Sequence, residues 1–545
     1  MGSKAALHGG GAGAGDRLSS LEDSVLGHIL SFLPAAEAAR AAVLSRRWRH
    51  VLAAAHTLSF DEPAPPVPEQ DSDDDSGYWS PGYGPSVRRV DVRPSPFVTA
   101  VWAALLARHR RGAAAAAPLR ALRVVFDDFD ARDYAPAVDG WLAHAAHQAG
   151  GELRLDLRLG RKPPPGCARA YALRSPGDGK DSGGGHRASP SGGPKESEYV
   201  VPRSLFSCAA LRALRLGHCH LDPPPPAAAL PSLDTMHLTR VTGRRDAVQR
   251  LVAGCPRLAD LTLESCAGVA ALSLPAARLR RLALRCCHGL AAVAGDLSEL
   301  ETFEYRGPVP RASFLATPVI PRRITSCTLD FCGKEATATA ALAGLGGLLG
   351  VVAYTTCLSV KSARLGAGAG HDAFFSPAAG LPVFPNLRHL DLTGMVPTAD
   401  ADDADAAVGA VIRILERTPR LEALSLFFLP EPEPLEERRA AADFYYDAAA
   451  LHALHRLRHD RHAAIAVPDD DAETPCLRET TREINLVHYQ GGVAQRTLAK
   501  LLLRHAAAAD EVCCVFAHGP LLVQTRLMEE MRGWVMNEAT NMVFL

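Results

Sequence analysis

A six-residue apolar pattern, L-x-x-L-x-L, recurs along most of this chain and constrains its fold more than any other feature. Allowing another apolar residue at the second or third leucine, its first residue falls at Leu119, Leu211, Leu233, Leu258, Leu279, Leu300, Leu387 and Leu421, with weaker copies from Ile324 and Thr355. From Leu211 the offsets are 22, 25, 21, 21 and 24 residues, and from Ile324 they are 31, 32 and 34. Alternation with period two inside each copy predicts a short strand with one buried face. Repetition at a near-constant offset predicts stacked units that bury their apolar faces on one another. The chain has 545 residues, more than one compact core of about 250–300 residues accommodates.

A short strand and a return segment per repeat is the signature of a leucine-rich repeat. Cys follows the last apolar position by three in several copies: Leu216 to Cys219, Leu263 to Cys266, Leu284 to Cys287 and Leu329 to Cys332. Leucine-rich repeats place Asn or Cys there, where the backbone turns. These thiols are buried structural groups; a metal cluster is the alternative, against which they stand at least a full repeat apart rather than one ligand loop. The longer late repeats carry segments 336–349 and 406–417 that read as helices. Weaker strands precede Leu211, around Leu153 to Leu157.

Residues between the leucines of each strand point to the opposite, concave face. The central row reads Arg123, Arg215, His237, Thr262, Ala283, Glu304, Thr328, Ser359, Asp391, Ser425. Its sign runs from basic to acidic, which suits an asymmetric protein surface or a solvated face with no ligand, and not a phosphate track. Arg123, Arg215, His237, Thr262, Glu304 and Asp391 are the candidate target-binding residues.

Composition narrows the chemistry. Lys+Arg 59 against Asp+Glu 60 gives a net charge of −1, so no bulk nucleic-acid footprint is expected. The odd count of 13 cysteines, none in a CxxC, reads as free thiols in a reducing compartment, cytoplasm or nucleus. The start lacks a secretory core, and the longest apolar run, Ala340 to Tyr354, is too short and glycine-rich to span a bilayer. No HExxH, GxSxG, Walker A or dinucleotide fingerprint occurs. His452, His455, His459 and His462 share one helix face, but arginines crowd the same turns and only Asp460 could order the rings. No cofactor, metal site or catalytic residue is expected.

Residues Asp16 to Leu52 read as three short helices. Ser20 is the expected N-cap of the first, with Asp23 at its third helical position; Val25, Leu26, Ile29, Leu30 and Leu33 keep helical spacing. Pro34 stops that helix. Ala35 to Leu44 and Arg46 to Ala54 follow, the last carrying Trp48 and Val51. So few residues cannot bury this many large side chains among themselves, so the face packs on the following domain or meets another protein. The runs Asp16-Arg17-Leu18-Ser19-Ser20-Leu21, Val25-Leu26-x-x-Ile29-Leu30-Ser31-Phe32-Leu33-Pro34 and Val43-Leu44-Ser45-Arg46-Arg47-Trp48-Arg49 resemble a plant F-box. One departure is Glu22 where the family usually has Pro, for which a locally altered helix start is expected. The resemblance implies docking on a Skp-type adaptor and through it a cullin. It makes Leu18, Leu21, Val25, Leu26, Ile29, Leu30, Leu33, Pro34, Leu44 and Trp48 the contact or supporting residues.

Beyond an acidic stretch, Cys476-Leu477-Arg478-Glu479, an apolar strand from Glu483 to Tyr489, Gly491-Gly492, a leucine-bearing helix over 494–508, a strand over 511–516 and a helix over 523–535 resemble the plant FBD domain. In that position it would cap the open end of the repeats. The expected organisation is a disordered start (1–15), an F-box (16–55), an acidic Pro-rich linker (61–96), a leucine-rich-repeat solenoid (97–430) with a disordered loop (161–198), a helical or acidic connector (431–475) and an FBD-like domain (476–545). The fold class is α/β: a small helical module, a curved sheet with a helical or irregular outer face, and an α/β cap. The resemblance implies a substrate-recognition subunit of an SCF-type ubiquitin ligase, with the ubiquitin chemistry on other subunits and an unknown target on the repeats. A non-degradative scaffold and a small-ligand-gated receptor are the alternatives; converging polar side chains in a deep pocket would favour the receptor.

Overall fold

The computed structural model describes residues 20–44, 46–63, 95–109, 117–160, 198–224, 229–244, 246–266, 268–274, 278–311, 313–332, 339–365, 381–396, 401–429, 457, 465 and 474–545. Residues 1–15, most of the acidic linker, the loop 161–197, and the connector with its four histidines therefore lie outside the described residues. The described residues fall into two compact units, one drawn from 1–161 and 195–218, the other from 162–194 and 219–545.

The first unit opens with α1 (Asp23–Leu30), α2 (Ala35–Leu44) and α3 (Arg46–Val51), closed by a 3-10 turn over Leu52–Ala54. β1 (Thr57–Asp61) follows almost at once. Next come α4 (Pro96–His109), β2 (Leu119–Phe126), α5 (Ala131–Gln148), β3 (Ala149–Leu159) and β4 (Leu211–Gly217). The strands pair in parallel in the order β1–β2–β3–β4. The expectation that few contacts cross the acidic linker is therefore corrected, because the strand entering the sheet precedes the linker. Arg108 of α4, 3% exposed, donates to the carbonyls of Ala55 and Ala117 and, through Nε, to Gln148 Oε1 at 3.2 Å. Burial pushes its pKa down to about 10. The helical module and the first strands thus share one packed body.

The second unit is a parallel sheet whose strands follow chain order: β5 (Thr235–Thr239), β6 (Asp260–Glu264), β7 (Arg281–Arg285), β8 (Thr302–Gly307), β9 (Ser326–Phe331), β10 (Cys357–Arg364), β11 (His389–Met395) and β12 (Ala423–Leu429). Its register aligns the repeated apolar positions. Met236, Leu261, Leu282, Phe303, Cys327, Leu358, Leu390 and Leu424 form one row, and none is more than 1% exposed. Among the returns, α6 (Ala247–Ala253), α7 (Thr339–Val351) and α8 (Ala401–Leu415) are helical. Others are extended: Ala271–Leu274, Ala292–Gly295 and Leu315–Ala316 pair in parallel as a second ladder.

Corners after the strands repeat as well. Arg240, Ser265 and Cys286 take φ of 51°, 53° and 53°, a left-handed conformation costly for side-chain-bearing residues. Each N–H there donates to a carbonyl of the next repeat, Glu264, Arg285 or Arg306, which compensates the strain. The following cysteine points inward: Cys266 Sγ donates to the Leu238 carbonyl at 3.4 Å. Cys219, Cys266 and Cys332 are buried, while Cys287 is half-buried, a partial departure from the expectation that all four are enclosed.

The C-terminal residues continue the same sheet instead of sitting across its end. After α9 (Pro475–Glu479), β13 (Glu483–Tyr489) pairs in parallel with β12, aligning Leu424 with Ile484 and Leu426 with Leu486. Then α10 (Val493–His505), β14 (Glu511–Phe516), α11 (Leu521–Trp534) and β15 (Asn541–Phe544) repeat the strand-and-helix unit. The helices and first two strands match the sequence expectation; β15 was not anticipated, because Asn541–Phe544 is too short to show a period.

Candidate functional site

Three apolar side chains stand exposed on the helical module. Val25 and Ile29 of α1 and Phe32 in the turn after it are 42%, 37% and 75% exposed. Their spacing, i, i+4 and i+7, puts them on one face. Leu26 and Leu30 face the other way, 1% and 2% exposed, and pack with Ala38, Val51 and Ala55. Leu21, Leu33 and Trp48 line that core in part. Leu26 and Leu30 are thus corrected from contact residues to core: a contact with another protein cannot reach them while the module is folded. Phe32 was missed as a contact, since a residue beyond the last regular turn falls outside helical periodicity. Leu18 lies outside the described residues, as does the side chain of Leu44.

The local geometry holds this face still. α1 begins at Asp23 with Glu22 as N-cap and no side-chain capping bond, so the expected Ser20 capping box is not formed. Glu22 has φ −67° and ψ 152°, a conformation proline also adopts; the substitution leaves the helix start unaltered. Arg47 Nε donates to Asp23 Oδ1 at 2.9 Å, tying α3 to the first turn of α1. α1 ends at Leu30, and the Pro34 carbonyl accepts from Glu37 and Ala38, so Pro34 starts α2. Ser31 Oγ donates to the Gly27 carbonyl at 2.8 Å and accepts from the His56 N–H at 3.0 Å. Gly27 itself lies so close to the 3-10 turn that a Cβ there would meet Ala54 backbone at 2.9 Å.

On the sheets, the central row falls where the spacing places it. In the first unit Ser59, Arg123, Asp156 and Arg215 align. In the second, His237, Thr262, Ala283, Glu304, Thr328, Ser359, Asp391 and Ser425 align. Their environments differ sharply. Arg123 donates to Asp61 Oδ2 at 2.7 Å and faces Asp156 at 3.5 Å. Glu304 accepts from Arg285, and Thr262 is 5% exposed. Arg215 is exposed, and His237 and Asp391 are half-buried. The basic-to-acidic gradient read from one row is therefore offset by residues beside it, Asp61, Asp156 and Arg285, which a single-row reading omits. Among the described residues no group of His, Cys, Asp or Glu is arranged to hold a metal ion, and no helix is long and apolar enough to cross a membrane.

Comparison with known proteins agrees with this geometry. The F-box domain family matches residues 18–54, which span α1 to α3. The family described as FBD-associated F-box protein At5g56370, LRR repeats, matches residues 191–313. The chain is an F-box/leucine-rich-repeat protein. Among Arabidopsis thaliana proteins, this F-box/leucine-rich-repeat chain is 26% identical to F-box/FBD/LRR-repeat protein At1g13570 over 248 residues, 46% of this chain and 44% of that one. It is 53% identical over 47 residues to F-box/LRR-repeat protein At3g59200, 9% of each chain. It is 42% identical over 62 residues to F-box/LRR-repeat protein At4g14103, 11% of this chain and 16% of that one. These alignments span less than half the length of the relatives they match.

Proposed function

We propose that this protein is the target-recognition subunit of an SCF-type ubiquitin ligase, docking on a Skp-type adaptor through the face of α1 and holding a target on its leucine-rich repeats. The observation that carries the reading is the exposed set Val25, Ile29 and Phe32 on a module matched by the F-box family. Large apolar side chains lying together on a surface mark an interaction site, and these lie on a helix whose opposite face is already packed. The protein performs no chemistry itself in this reading; it brings a target to subunits that do.

Purified full-length chain, mixed with a Skp-type adaptor, should form a complex by size-exclusion chromatography. Ile29→Glu and Phe32→Glu should abolish it while leaving the fold intact, because both side chains are exposed. No complex with the unmodified chain would overturn the reading. A complex without ubiquitin-dependent loss of any captured target in cells would favour a non-degradative scaffold.

A further inference from the structure

A cavity of about 540 Å³ opens on the second unit at the edge where the strands begin. It is lined by Arg322, Arg323, Arg388 and Arg420, with Tyr354 and Asn386 among its other walls. Its position follows from an interruption in a charge pattern. The residue after the first apolar position of each repeat forms a rim, reading Arg280, Glu301, Thr325, Thr356, Arg388, Glu422, Arg482, Asp510. Neighbours of opposite charge pair across repeats: Arg280 with Glu301 at 3.9 Å, Arg388 with Glu422 at 2.6 Å, and Arg482 with Asp510 at 3.9 Å. Thr325 and Thr356 break that alternation, and the cavity lies there.

Arginines from the preceding segments surround the break. Arg323 is paired with Glu299. Arg322 lies over the ring of Tyr354, its guanidinium carbon 5.0 Å from the centroid. Among the described residues neither Arg322 nor Arg420 has a carboxylate within ion-pair distance. Counting Arg280, Arg322, Arg323, Arg388 and Arg420 against Glu299, Glu301 and Glu422 leaves two positive charges in excess. Those charges are planar forks that match oxyanion geometry, and the hydroxyls of Thr325 and Thr356 and the Asn386 amide offer further donors.

We propose that this rim cavity binds a phosphate monoester, with Arg322 and Arg420 as its principal anion contacts and Arg388 as a third donor. A dianion matches the excess charge, and an oxyanion takes up arginine forks and hydroxyl donors together. The cavity's open side leaves room for the group to which the phosphate is attached. The inference does not depend on the adaptor reading, because the cavity lies in the second unit and adaptor docking is read by a separate complex assay.

The test is phosphorus NMR of O-phosphoserine titrated with the full-length chain. Its resonance should broaden, and the Arg322→Gln/Arg420→Gln double variant should weaken binding by about tenfold or more. Arg280→Gln, on the same rim but outside the cavity, should bind as the unmodified chain does. Because Arg322 and Arg420 are exposed, thermal melts of the variants should match the parent; Arg420→Lys, which keeps the charge, should recover part of the affinity. Repeating the titration with a capped phosphoserine pentapeptide and with inorganic phosphate separates the sources. A peptide bound about tenfold tighter assigns the site to a phosphorylated protein segment, and equal affinities assign it to a free phosphate or small ester. No broadening by any of the three, or equal weakening by Arg280→Gln, would overturn the proposal.

Discussion

Arg285 at the end of β7 clasps Glu304 in the middle of β8, with Nε donating to Oε1 at 2.6 Å and Nη2 to Oε2 at 2.7 Å. Glu264 stands 3.9 Å away on the other side. This bidentate pair stitches consecutive repeats across the face opposite the leucines. Burial acts to raise the Glu304 pKa, but the hydrogen bonds and charge of Arg285 outweigh it, and the net direction is downward. A carboxyl lowered in the folded state stabilises above its usual range, and that stabilisation is lost as pH falls through the lowered value. Glu304→Gln should therefore cost about 1–3 kcal/mol near neutral pH and abolish part of the acid sensitivity below about pH 4.5. Urea midpoints at neutral and acid pH, parent against variant, check both; equal acid loss in the two would exclude Glu304 as the group responsible.

The two faces of α1 should respond in opposite ways. Leu30→Ala opens a cavity among Leu26, Val51 and Ala55 and should lower stability by about 2–5 kcal/mol. Ile29→Glu should leave the melting temperature unchanged yet eliminate adaptor capture. Calorimetry beside a pull-down separates them, and a large stability loss in Ile29→Glu would mean that its face is internal.

His28 Nδ1 lies 2.7 Å from His56 Nε2. Burial lowers the pKa of His56, and the positive charges of His28, Arg120 and Arg108 lower it further. The folded chain thus resists protonating this ring while the unfolded chain does not. Stability should fall as pH drops through the ordinary histidine value, about 6.5, toward the lowered one. His56→Gln should flatten that part of the thermal profile; an unchanged profile would assign the pH response to other groups.

Thiol reactivity should report the corners of the repeats. Cys266 and Cys287 share a hydrogen bond that, with burial, raises Cys266 and lowers Cys287. Burial also pushes Cys255 up to about 12 and raises Cys327 and Cys514. Since the thiolate is the nucleophile, native-state alkylation followed by mass spectrometry should modify Cys287 well before Cys266, Cys255, Cys327 or Cys514. Labelling of all five at one rate would show that the repeats open as readily as they react.

In the ladder itself, Leu282 is fully buried in register between Leu261 and Phe303. Leu282→Ala should cost about 2–5 kcal/mol, read as a shift in the thermal transition. A shift within error would place Leu282 outside the ladder.

What the sequence by itself determined is the repeat. Spacing placed the strands, and because side chains alternate strictly along a strand, it also placed the leucine rows and the central row from His237 to Ser425. The three helices of residues 23–51 and their family were equally legible, since helical periodicity and a dense motif coincide there. Tertiary structure decided everything that depends on which neighbour a side chain meets. Leu30 and Ile29 are adjacent in sequence and equally apolar, yet one is core and the other surface, because only the placement of Val51 and Ala55 says which side of α1 is covered. The charges of Arg123 and Glu304 are answered by Asp61 and Arg285, from neighbouring strands. The residues at 483–544 read alone as a separate cap, but their apolar rows match the register of β12 and extend it. Backbone hydrogen bonding at a sheet edge is indifferent to domain boundaries, so in-register rows are enough to continue the sheet.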